Sequence, residues 1–136
     1  MGRNDRKRQA RRAARELRGL AASIREGRAD AEARTSARAY AEWAGRLLGH
    51  NQGIFDQMLG ETDGLQAPLS EFKAEALVEG AFNPCSSMVA DALEAEATFR
   101  VAESIVLSCA ADVQILRCAL AELNAELDGP DGPGGE

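Results

Sequence analysis

The chain has one histidine, His50, set in Leu47-Leu48-Gly49-His50-Asn51-Gln52-Gly53. A histidine at a helix end of an exposed bundle can accept a phosphoryl group. The Lys and Gly that phosphorelay modules usually place just after it are missing here, so a surface or helix-capping residue is the simpler reading. Cys85 follows Pro84 and is expected in the first turn of a helix, where the dipole and free N–H groups favour a thiolate. Ser86 and Ser87 beside it could help hold a small anion. A cysteine on an apolar stripe more often packs as a small hydrophobe, and Cys109 and Cys118 read as core or seam residues. The three cysteines lack metal-knuckle spacing and suit free thiols in a reducing compartment.

Glu71, Glu75 and Glu79 form an i, i+4, i+8 row. A di-metal bundle needs two Glu-x-x-His pairs, which one histidine cannot supply, so a solvated helix face explains the row better. Nucleophile elbows and glycine-rich phosphate loops are absent from the sequence. The expectation is a non-enzymatic protein without metal or cofactor.

The strongest signal is charge. Arg3, Arg6, Lys7, Arg8, Arg11, Arg12, Arg15 and Arg18 stand against Asp5 and Glu16, giving residues 1–18 a charge of +6 within a chain of net charge −6. Such asymmetry marks an interaction segment. Lys and Arg bind phosphate backbones by releasing counterions, which makes the binding steeply salt-dependent. No aromatic residue interleaves with the arginines, so base stacking is not indicated. The other partner for this face is an acidic protein surface, including the rest of this chain.

These residues need helices to position them. Only 4% of residues are aromatic, and Ala, Leu, Glu and Arg dominate, a mixture that favours helix. The spacing of Ala10, Ala13, Leu17, Leu20 and Ile24 predicts a first helix over 5–26, stopped by Gly27. A second is predicted from Asp30 to Leu48, loosened by Gly49 and Gly53, with a short apolar turn over 54–59 and a loop over 60–68. Ser70 reads as the N-cap of a third helix over 71–82. Asn83-Pro84 reads as its end and as cap and first residue of the next.

From Pro84 to Leu127 the sequence has neither glycine nor further proline. Cys85, Met88, Ala92, Ala95, Phe99, Ala102, Val106, Cys109, Val113, Leu116, Leu120, Leu123 and Leu127 alternate 3 and 4, a sustained heptad pattern. Leu93, Val101, Ile105, Leu107 and Ile115 lie off that seam. One face cannot bury both sets, so packing on two sides is expected, by the chain's own helices and by another subunit. Glu103, Asp112 and Arg117 interrupt the most apolar window, which argues against a membrane span.

The expected architecture is all-α: a small bundle with one C-terminal helix of about 40 residues and a basic N-terminal helix. It divides into an arm over 1–28, a helical body over 29–127 and a Gly/Pro/acidic tail over 128–136. The expected function is a helical assembly protein, of phage, capsid or nucleoid type, in the cytoplasm or within a virion. It would oligomerise through Phe99, Val106, Val113, Leu116, Leu120 and Leu123, and contact nucleic acid or an acidic partner through the basic residues above. The alternatives are an acidic protein-binding adaptor or inhibitor, and a phosphorelay module using His50.

Overall fold

The structure, a computed structural model, describes residues 2–129. Most of the predicted tail, from residue 130 on, lies outside the described residues. Four helices follow one another: α1 (Arg3–Arg25), α2 (Ala31–Gly64), α3 (Gln66–Phe82) and α4 (Met88–Asp128). There is no strand among the described residues, and the fold is an all-α bundle with a 41-residue C-terminal helix.

Gly27 closes α1 as the spacing predicts. Its φ of +73° is left-handed, which glycine adopts without steric cost. That turn lets the Arg28 N–H reach the Ser23 carbonyl (2.9 Å) and the Gly27 N–H reach Ile24 (3.0 Å), the paired bonds of a Schellman ending. Asp30 then caps α2, its carboxylate accepting the Ala33 N–H at 2.8 Å.

α2 differs from expectation. It runs unbroken through Gly45, Gly49, Gly53 and Gly60 to Gly64, where a break after Leu48 and a loop over 60–68 were predicted. Glycine weakens a helix by about 1 kcal/mol relative to alanine but keeps its N–H, so the ladder survives where proline would end it. Burial of Asn51 and Thr62 along the same stretch marks it as a packed helix.

The only non-helical residue between α2 and α3 is Leu65, whose N–H tightens onto Thr62 (3.1 Å). Pro68 falls in the first turn of α3, where the first N–H groups have no intrahelical partner, so it does no harm there. Ser70 is therefore inside α3 and is not its cap.

Asn83 ends α3. It does not start α4. Its side chain donates to Glu79 (3.2 Å) and accepts the Cys85 N–H (3.3 Å), while its carbonyl accepts from Ser86 (3.0 Å). These bonds hold Pro84 and Cys85 in a turn, and α4 begins at Met88, with the Ser86 hydroxyl accepting the Met88 N–H.

Two compact units result: Met1–Ile54 with Cys109–Glu136, and Phe55–Ser108. The first does not separate the predicted arm from the body. Ala13, Ala14, Leu17 and Ala21 of α1 pack with Ala37, Ala41 and Ala44 of α2 and with Leu116, Ala119, Leu123 and Leu127 of α4. Alanine faces let helices approach closely, and Leu17, Leu116 and Leu123 fill the space between them, each 0% exposed.

In the second unit, Lys73 of α3 meets Glu96 of α4 at 2.6 Å. A Cβ on Gly80 would lie 2.7 Å from Val89 Cγ2, so that glycine permits the close approach of α3 and α4.

Leu116→Ala and Leu123→Ala should each lower the unfolding free energy by about 2–5 kcal/mol in urea denaturation. Gly49→Ala and Gly53→Ala, where an added Cβ meets nothing within 4 Å, should each raise it by about 0.5–1 kcal/mol. Gly80→Ala should go the other way, by about 1–3 kcal/mol, because Val89 blocks the methyl.

Candidate interaction surfaces

The basic residues of α1 divide by helical face. Arg11, Arg18 and Arg25 recur every seven residues and turn toward the carboxylates of α4 in the first unit. Arg11 Nε stands 3.5 Å from Asp112 Oδ1, and Arg18 Nε 4.0 Å from Glu122 Oε2. Arg25 bridges Glu126 (2.9 Å) and Glu122 (3.0 Å), whose hydrogen bonds, that of Glu126 first, hold its guanidinium pKa above the ordinary value. Arg6 and Lys7 are half-buried and engaged within the fold. Arg3, Arg8, Arg12 and Arg15 are exposed and form no ion pair among the described residues. Of these, Arg8, Arg12 and Arg15 share one face by their i, i+4, i+7 spacing.

Beside that face the fold builds something the linear sequence did not show. Tyr40 and Trp43 of α2 come alongside Arg12, lining with Gln9, Ala13 and Glu16 an open cleft of about 360 Å³. The two rings lie 5.3 Å apart, tilted by 51°. Burial, then the charge of Glu16, pushes the Tyr40 hydroxyl pKa up, against the pull of Arg12. Ala33, Ala37, Tyr40, Ala44 and Leu47 recur at 4, 3, 4, 3 along α2 with Trp43 flanking them, so the signal was present. It needed α1 and α2 to be laid side by side.

The residues expected to join subunits are placed differently. Leu116 and Leu123 are in the core of the first unit, and Leu120 packs half-buried against it. Val106 and Val113 are buried and Phe99 is half-buried. Over Leu116–Leu127 the heptad seam is filled by α1 and α2 of the same chain, so a second copy could use it only by displacing them.

The off-seam set is open instead. Leu93, Val101 and Leu107 keep 66%, 60% and 71% of their surface exposed, while Ile105 and Ile115 are half-buried. Leu77 of α3, 71% exposed, joins them. It lies one turn from Lys73 and from Gly80, as Leu93 lies one turn from Glu96 and from Val89. The two contacts between those flanking pairs set Leu77 and Leu93 at the same level of the α3–α4 hairpin. On the far side of α3, Glu71, Glu75, Val78 and Phe82 form a single exposed row, Phe82 at 84%.

The remaining candidates for chemistry stay apart. His50 is exposed on α2. Cys85 is exposed in the turn before α4 and not in its first helical turn, and Cys118 is exposed and not in the core. Cys109 is half-buried, its thiol pKa pushed up by burial and by Asp112. Among the described residues no group of three or more His, Cys, Asp or Glu is placed to hold a metal. By length and composition α4 could cross a membrane, and its C-terminal half also forms a third of the first unit's core.

Hydrogen bonds from Lys73, then Arg100, hold the Glu96 pKa below its ordinary 4.5. The folded state therefore binds fewer protons there than the unfolded chain, and the contribution is complete above that value and lost as pH falls below it. The stability difference between the natural chain and Glu96→Gln, measured in urea at about pH 6, should narrow as pH falls below 4.5. Compared with known proteins, the chain matches no family model, no curated protein and no solved structure, and its function is read from these surfaces alone.

Proposed function

We propose that this chain is a non-enzymatic helical assembly protein, whose working surface is the exposed apolar side of residues 55–108. One observation carries the reading. Of the ten large hydrophobic residues exposed among those described, nine lie in this segment and only Trp43 lies outside it. Apolar patches beyond a few hundred Å² are unusual on monomers and mark interaction sites. The subunit contact is thereby assigned to the exposed apolar residues of this segment, Leu77, Val78, Phe82, Leu93, Val101 and Leu107 among them, in place of the heptad seam.

The experiment is sedimentation across a concentration series. The natural chain should give more than monomer mass, and Val78→Glu with Phe82→Glu should lower that mass while helicity by circular dichroism is kept. A natural chain that stays monomeric at every concentration would sink the reading.

A second role for α1, holding nucleic acid or another acidic partner, is supported by the four arginines that the fold leaves without an ion pair. About four phosphate contacts give a slope of log affinity against log salt of about −3 to −4. A salt titration on a random DNA duplex should show that slope, and Arg8→Gln with Arg12→Gln and Arg15→Gln should flatten it. Substitution is the right tool because deleting α1 would remove Leu17 from the core.

A further inference from the structure

We infer that the partner of the α3 face is a second copy of this chain, docked head to tail: the outer row of α3 on one copy sits against the Arg8/Arg12/Arg15 face and the Tyr40–Trp43 cleft of the next. The inference rests on the assembly reading above and names the two surfaces that meet.

The first argument is leftover charge. Residues 55–108 carry ten carboxylates against Lys73 and Arg100, while residues 1–54 with 109–136 carry fourteen cations against twelve carboxylates, so the unmatched negative charge belongs to the second unit. On α3, Glu71 and Glu75 are exposed and form no ion pair among the described residues. On α1, Arg8, Arg12 and Arg15 are in the same position. Each row places its charges one helical turn apart, so guanidinium and carboxylate can pair turn by turn between two helices.

The second argument is shape. Glu71, Glu75, Val78 and Phe82 follow one another along about 16 Å of one helix face, two carboxylates and then two apolar side chains. On the opposing surface Arg12 lines the cleft together with Ala13 and the Tyr40 and Trp43 rings, on the same face of α1 as Arg8 and Arg15. Phe82, the most exposed large hydrophobic residue described, is a knob of the right chemistry for that hole, since aromatic rings favour tilted packing against other rings. Glu16 in the cleft repels a carboxylate and tolerates a phenyl edge, so the cleft suits Phe82 and not Glu71 or Glu75.

Because the two faces differ, the contact is heterologous. Every copy added leaves one face of each kind open, so assembly closes into a ring or continues as a filament.

Two variants test this. One carries Arg8→Gln, Arg12→Gln and Arg15→Gln; the other carries Glu71→Gln, Glu75→Gln and Phe82→Asp. All six positions are exposed, and retained helicity checks folding. Each variant alone should sediment as a monomer. An equimolar mixture should give a dimer of one copy each, because each variant keeps the face that the other lacks.

If both variants keep the natural chain's mass, copies associate through another face: the head-to-tail contact is wrong and the assembly reading survives. If the variants are monomeric and their mixture stays monomeric, the contact is also wrong. If nuclease treatment reduces the natural chain to monomer, the arginines hold nucleic acid and not a second copy. A natural chain that is monomeric throughout removes the assembly reading itself.

Discussion

Everything in the first unit depends on how closely α4 approaches α1 and α2, and that distance is set by alanine. Seven of the eleven residues at the centre of the cluster are alanines, and the four leucines among them fill the space between helix backbones. Small faces bring backbones together but bury little apolar area per residue. The unit is therefore held by a few large side chains, Leu17, Leu116 and Leu123 foremost. The same closeness lets Arg11, Arg18 and Arg25 reach Asp112, Glu122 and Glu126 without leaving their own helix face. These pairs set the register between α1 and α4. The Arg18 and Arg25 pairs, being largely exposed, add little to stability.

The second unit allocates its residues in the opposite way. Of its hydrophobic residues only Ala76, Ala92 and Val106 are buried, while its leucines, its other valines and Phe82 stay in contact with solvent. Three small buried side chains are a thin core for a unit of 54 residues. Apolar surface that contributes nothing to a chain's own fold is free to contribute to association. That difference between the units underlies the assembly reading more than any single residue does.

Much of this architecture was legible in the residues. The 3–4 alternation located α1 and α4, Gly27 and Asp30 fixed the α1–α2 junction, and the off-seam positions correctly implied a second apolar side to α4. The failures have physical causes. Glycine at 49 and 53 reads as a break only when propensity is weighed without packing. Pro68 reads as a loop only if its place in the first turn of a helix goes unrecognised. The heptad seam was assigned to another subunit because periodicity reports that a face is covered and not which helix covers it. Likewise, the count of arginines could not show that Arg11 and Arg18 are used internally, nor that Tyr40 and Trp43 stand next to Arg12. Both facts belong to helix pairing, which lies beyond local sequence.

α2 and α4 each run into both units without a break in the backbone ladder. A region with few buried contacts usually opens more readily than its neighbours. Because α2 and α4 are continuous helices, loosening of residues 55–108 advances along them turn by turn as a helix–coil boundary, and their amide protons would exchange in a graded order.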